Sequence, residues 1–98
     1  MEIKTSKENE VLNIALLGRL DTVTAPDLDK VVREMDDDVK SLNFDFSGLE
    51  YISSAGLRVL LAAQKIMNTK GEMAITNVSA DIMEIFTITG FVDILTIK

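Results

Sequence analysis

Histidine, cysteine and tryptophan are absent from this 98-residue chain, and proline occurs once. Each absence removes a class of chemistry. Without imidazole or thiol there is no ordinary general base at neutral pH, no thiolate nucleophile, and no nitrogen or sulfur ligand for zinc. The common hydrolase and metalloenzyme constellations lose their central parts, so the expectation is a protein that is not an enzyme and has no cofactor of its own. No disulfide can form, which fits a reducing compartment, the cytoplasm. No apolar run approaches the roughly 20 residues of a membrane-spanning helix. The charged, alternating start at Met1 lacks the basic and apolar regions of a signal peptide. Gly48 and Gly56 are not followed by the Gly-Lys-Ser or Gly-Lys-Thr of a phosphate-cradling loop. Positive charge is also scarce: ten basic against sixteen acidic residues give a net charge of −6, which repels phosphate backbones and anionic headgroups. Neither nucleic acid nor a membrane is expected as a partner.

What remains is a composition of 47% hydrophobic and 27% charged residues, which describes a single domain over 1–98, expected to be monomeric when free. A chain of this size buries roughly 60 to 68% of its unfolded surface, enough for a core without staples. Glu2 to Ser6 alternates, and after the polar stretch Lys7 to Glu10 an apolar run from Val11 to Leu17 is broken only by Asn13. This reads as a hairpin feeding a buried strand that Gly18 closes. In "GRLDTVTAPDL" Thr24 can cap a helix whose first turn holds Pro26. Leu28, Val31, Val32 and Met35 then form one buried stripe. The acidic run Asp36 to Asp38 ends it and is expected to solvate a loop; it lacks the alternating spacing and glycine of a calcium loop, so no metal is expected.

Leu42, Phe44 and Phe46 alternate with Asn43, Asp45 and Ser47, the pattern of a strand with one face in the core and the other near solvent. Leu57 to Met67 is crowded with apolar residues and predicts the most deeply buried helix, stopped by Gly71. "EMAIT" reads as a strand, Ser79 caps a short helix carrying Ile82, Ile85 and Phe86, Gly90 ends it, and "ILTIK" makes a last strand. The resulting order, β-β-α-β-α-β-α-β, predicts an α/β fold. Its sheet is mixed and mostly parallel, with an N-terminal hairpin and with helices mainly on one face.

Against this negative chemical inventory, "YISSAGLRVLL" stands out. It puts Ser53 and Ser54 in the loop expected after the Leu42 to Phe46 strand, at the start of a helix and at the carboxyl edge of that parallel strand, where α/β proteins place their sites. A serine there needs no function, because a capping hydroxyl satisfies an orphaned amide and stabilises the helix by about 0.5 to 2 kcal/mol. One serine suffices for a cap, however, and the other is free to point outward. A phosphate carried there would meet the positive end of the helix dipole. Ala55 and Gly56 keep the surroundings small, and the Gly56 position also suits close packing of helix on strand. Lys65 and Lys70 lie too far down the helix to serve as bases for a serine nucleophile, so a Ser54 hydrolase lacks its base.

The segments "LLGRLDTVTAPDL", "LNFDFSGLEYISSAGLRVLLAAQK" and "ITGFVDIL", in this order and spacing over nearly the whole chain, resemble the STAS domain of bacterial anti-sigma factor antagonists. The family's helix start reads Asp, phosphorylated Ser, Ser or Thr, then Gly-Leu, so the resemblance puts the phospho-acceptor at Ser54. Ser53 stands where the family has Asp, which leaves Ser53 as a second candidate acceptor, and Ala55 stands where the family has a second hydroxyl. Asp21 matches the acid of the family's Gly-x-Leu-Asp. With Thr22, Ser53 and Gly56 it makes up the partner-binding set that the resemblance implies. The function implied is partner switching: the unphosphorylated domain binds an anti-sigma factor serine kinase and so releases a sigma factor, phosphorylation of Ser54 abolishes binding, and a serine phosphatase resets the domain. ATP and metal belong to those partners. The alternative within the same resemblance is a non-catalytic STAS subunit of a transporter or signalling assembly.

Overall fold

Leu12, Ile14 and Leu16 alternate with Asn13 and Ala15, and Leu42, Phe44 and Phe46 alternate with Asn43 and Asp45. In the computed structural model, which describes residues 1–98, these two runs lie side by side as parallel strands with Leu12 opposite Leu42 and Ile14 opposite Phe44. The chain runs β1 (Glu2–Glu8), β2 (Val11–Leu20), α1 (Ala25–Arg33), β3 (Ser41–Ile52), α2 (Ser54–Asn68), β4 (Glu72–Thr76) and α3 (Ala80–Thr89), followed by a 3-10 turn at Phe91–Asp93. The sheet order is β1-β2-β3-β4, antiparallel between β1 and β2 and parallel elsewhere. Asn9, with φ of 54°, makes the tight turn of the hairpin.

Period-two alternation sends every second strand residue to one face. Leu12, Ile14, Leu16, Leu42, Phe44, Phe46, Met73 and Ile75 are buried there, and Leu28 and Val32 of α1, Leu60, Ala63 and Met67 of α2, and Ile82 and Phe86 of α3 close the same core. All three helices therefore cover this one face. Phe46 holds α3 to the sheet, its ring centroid 6.4 Å from that of Phe86 and 6.1 Å from that of Phe44. The other face carries Asn13, Asn43 and Asp45, and is polar for that reason. α2 buries seven of its residues against three for α1 and two for α3, so it is the central helix as its apolar crowding predicts.

Five local expectations are corrected. Gly18 does not close β2: the strand continues to Leu20, and Gly18, at φ of 102°, sits at an irregularity where the register to β3 shifts. β3 likewise continues past Phe46 to Ile52, so no loop separates it from Ser53. Gly71 is not a left-handed helix stop; α2 ends at Asn68 with Thr69 as its C-cap, and Gly71 instead packs against the Lys40 backbone. "ILTIK" does not form a fifth strand, because only Ile97 bridges to Ile75, held by Ile75 N donating to Thr96 O and Lys98 N to Ile75 O. The acidic run also does more than solvate a loop: Lys7 Nζ reaches Asp36 at 3.4 Å and Asp38 at 3.0 Å, tying the hairpin to the segment after α1. Ser79 and Gly90 behave as expected, Ser79 Oγ accepting from Ile82 N and Gly90 closing α3 at φ of 81°.

Candidate functional site at the carboxyl edge of the sheet

Parallel register decides which loops meet. Leu20, the last residue of β2, pairs with Ile52, the last of β3, and Ser53 N donates to Leu20 O at 2.9 Å. The turn that begins with Asp21 and the start of α2 therefore leave the same edge of the sheet next to one another. Ser53 is extended (φ −98°, ψ 175°) and its Oγ accepts from Gly56 N at 3.4 Å, so it is the N-cap. Ser54 becomes the first helical residue, and its side chain is exposed. Of the two serines, Ser53 is thus occupied by the cap and Ser54 is displayed.

Gly56 is buried at the point where α2 crosses both strand ends. A Cβ there would lie 2.7 Å from Leu20 Cγ and 2.9 Å from Ile52 Cγ1. The missing side chain lets the first turn of α2 rest on the sheet, and this contact fixes the height at which Ser54 stands above the edge.

Asp21 organises the neighbouring turn. Its Oδ1 accepts from Val23 N at 3.0 Å, Thr24 N at 3.1 Å and Thr24 Oγ1 at 3.2 Å. The single Thr24 hydroxyl proton is shared between Asp21 Oδ1 and the nearer Arg19 O at 2.8 Å, and the hydroxyl oxygen accepts from Asp21 N at 2.9 Å. Thr24 therefore precedes α1 without capping it through its side chain; engaged by Arg19 and Asp21, the hydroxyl is not free to turn toward the helix amides. This knot leaves Thr22 and Val23 exposed at the tip, Val23 by 83%. Bonds from Thr24 and Val23, then the Arg19 charge, hold the Asp21 carboxyl below its ordinary value. Arg19 and Tyr51 escaped the sequence reading. They are register partners, with the guanidinium 4.2 Å above the ring and Arg19 Nε 3.9 Å from Asp21 Oδ2. The i, i+2 spacing of Arg19 and Asp21 is the signal that could have linked that pair. Beside Ser54 a shallow depression of about 300 Å³ opens between α1 and α2, lined by Thr22, Pro26, Ala55 and Arg58 among others. A larger hollow of about 380 Å³ lies on the polar sheet face, where Asn43 bonds Asn13 and Asn77 bonds Asp45; these polar groups satisfy one another there.

The family model described as STAS domain matches residues 2–98. The chain belongs to the STAS family. This STAS domain is 31% identical over 96 residues to BtrV of Bordetella bronchiseptica, provisionally named an anti-sigma factor antagonist, covering 96% of the chain and 83% of that protein. It is 28% identical to the anti-sigma-B factor antagonist of Staphylococcus aureus, covering 97% of the chain and 90% of the relative. In fold it is similar to the crystal structure of an anti-sigma factor antagonist from Mycobacterium paratuberculosis, with a TM-score of 0.87 and 21% identity over 98% of this chain and 83% of that one.

Two expected outcomes follow, the first from the cap of α2 and the second from the bonded carboxylates of the STAS domain. Ser53→Ala should cost about 1 kcal/mol in stability, the usual worth of a lost cap, while Ser54→Ala should cost less than about 0.5 kcal/mol. Paired denaturant melts check this, and equal losses would mean that the two serines share the cap. The second concerns acid. Asp38, bonded to Lys7, and Asp45, bonded to Asn77, are lowered along with Asp21. A carboxyl whose folded value lies below its unfolded one adds stability that is complete above the unfolded value and is lost as pH falls through the folded value. Thermal midpoints should therefore hold steady from neutrality to about pH 5 and fall below about pH 4, with a shallower acid loss in Asp21→Asn. A parallel fall in that variant would remove Asp21 from the set.

Proposed function

We propose that this STAS domain is an anti-sigma factor antagonist that works in the cytoplasm by partner switching. In its unphosphorylated form it binds an anti-sigma factor that is also a serine kinase, freeing a sigma factor. Phosphorylation of Ser54 ends the complex, and a serine phosphatase restores it. The observation that carries this proposal is the division of labour at α2: Ser53 holds the cap while the Ser54 hydroxyl is exposed at the helix N-terminus, on the edge shared with the Asp21 turn. The names of the B. bronchiseptica and S. aureus relatives support the antagonist role. Asp21, Thr22, Ser53 and Gly56 make the contact surface, Asp21 by shaping the exposed Thr22–Val23 tip and Gly56 by seating α2 on the sheet.

The test is to incubate the protein with an anti-sigma factor kinase from the same organism and ATP, then map phosphate by mass spectrometry and the complex by light scattering. One phosphate on Ser54, none in Ser54→Ala, and a complex formed only by the unphosphorylated chain are expected. No modification and no complex would assign the domain to a constitutive subunit of a larger assembly instead.

A further inference from the structure

The far end of α3 presents an apolar surface that the Ser54 site does not use. Ile88 is 76% exposed, Ile94 48% and Val92 39%, three large aliphatics within seven residues of one another along the chain. Thr87 and Thr89 add to it, because their hydroxyls donate back to Met83 O at 2.9 Å and Ile85 O at 2.7 Å, which leaves no free hydroxyl proton for solvent. The charges nearest it along the chain have one sign. No lysine or arginine occurs between Lys70 and Lys98, whereas Asp81, Glu84 and Asp93 do. Asp81, Glu84 and Ile88 are spaced three and four apart, so they share a single outward face of α3, and all three are exposed. Lys98 N donates to Ile75 O, which ties the end of the chain to β4.

We propose that the C-terminal half of α3 and the turn after it form a docking surface for a cationic amphipathic helix of another protein, whose aliphatic row covers Ile88, Val92 and Ile94 and whose lysines or arginines meet Glu84 and Asp93. An anionic membrane is repelled by those carboxylates. A second copy of the chain is disfavoured because a two-fold contact would bring Glu84 and Asp93 against the same acids. α3 follows β4, and Phe86 in its C-terminal half packs on Phe46 in the middle of β3, whereas Ser54 follows Ile52 at the end of that strand, so this surface is separate from the Ser54 edge. Binding here is therefore independent of the phosphorylation state and of whether the proposed switching occurs at all.

The experiment titrates the isotopically labelled full chain with two synthetic helices, one of leucine and lysine and one of leucine and glutamate, and follows backbone amide shifts. The lysine peptide should perturb residues between Ile85 and Ile94, equally in Ser54→Asp, and the glutamate peptide should not. Ile88→Ser should weaken the lysine peptide about tenfold, the usual loss for a central apolar anchor. The side chain is exposed, so the fold is retained, which the unperturbed amide spectrum would verify. Charge reversal by Glu84→Lys with Asp93→Lys should transfer the preference to the glutamate peptide. Perturbations centred on Asp21 or on Asp36 to Asp38 would overturn the proposal, as would unchanged affinity in Ile88→Ser. Self-association that Ile88→Ser abolishes would overturn it in favour of a second copy.

Discussion

Under the proposed switching, phosphorylation of Ser54 is expected to weaken the proposed complex with an anti-sigma factor kinase about a hundredfold while leaving the fold intact. A phosphoserine brings about −1.5 to −2 charge at neutral pH, on a protein already at −6. It appears on the edge where the Asp21 carboxyl is held ionised by the Thr24 and Val23 amides. A surface fitted to a hydroxyl must then desolvate a dianion, and like-charge juxtaposition at an interface costs several kcal/mol. Each ~1.4 kcal/mol is tenfold in affinity, so about 2.8 kcal/mol accounts for the loss. Within the domain the effect has the opposite sign, since negative charge in the first turn of a helix is stabilising by about 0.3 to 1 kcal/mol. The thermal midpoint should stay level or rise slightly. Ser54→Asp, with one charge instead of two, should lose about tenfold, and Ser54→Ala should bind like the parent and never be released. Calorimetric titration at two salt concentrations checks the cause, because screening should shrink an electrostatic loss. Undiminished binding by the phosphorylated form would refute charge-driven release.

Most of this site follows from residue patterns that act locally. The alternation of Leu42 to Asp45 marks a half-buried strand because side chains on a strand have a period of two, and Ser53 is recognisable as a cap because an oxygen at that place reaches the amide of Gly56. The alternation fails where the register shifts. Past Phe46 the buried positions are Leu49 and Ile52, three apart, with Gly48 just before Leu49, so β3 looks like a loop although it remains paired with β2 through Tyr51 and Ile52. An irregularity of this kind inserts a residue on one strand and is set by the partner strand, not by local composition. The Arg19, Tyr51 and Asp21 arrangement was hidden for the same reason, since it exists only when two strand ends 32 residues apart are brought into register. "ILTIK" fails in the other direction: its apolar pattern suits a strand, but only one bridge to β4 forms.

Gly71→Ala is expected to be the most damaging single-methyl change in the fold, costing about 3 kcal/mol and lowering Tm on the order of 15 °C. The reason lies in what a Cβ would strike. At Gly56 the nearest atoms belong to the Leu20 and Ile52 side chains, which can rotate, whereas at Gly71 they are the carbonyl oxygen, carbonyl carbon and Cα of Lys40. Lys40 cannot yield cheaply. Its N donates to Glu10 O at 2.8 Å and its O accepts from Glu72 N at 2.9 Å, so its backbone joins the hairpin turn, the start of β3 and the start of β4. Moving it away from a new methyl lengthens the bond that starts β3–β4 pairing and strains the one to the hairpin. Gly90→Ala is the control, with nothing within 4 Å of the added Cβ but φ at +81°; a left-handed alanine should cost only about 1 to 2 kcal/mol. Denaturant melts of both variants separate crowding from backbone conformation. If Gly71→Ala proved as mild as Gly90→Ala, the connection from α2 to β4 would have slack enough to swing clear of Lys40, and the close approach would not be what demands glycine there.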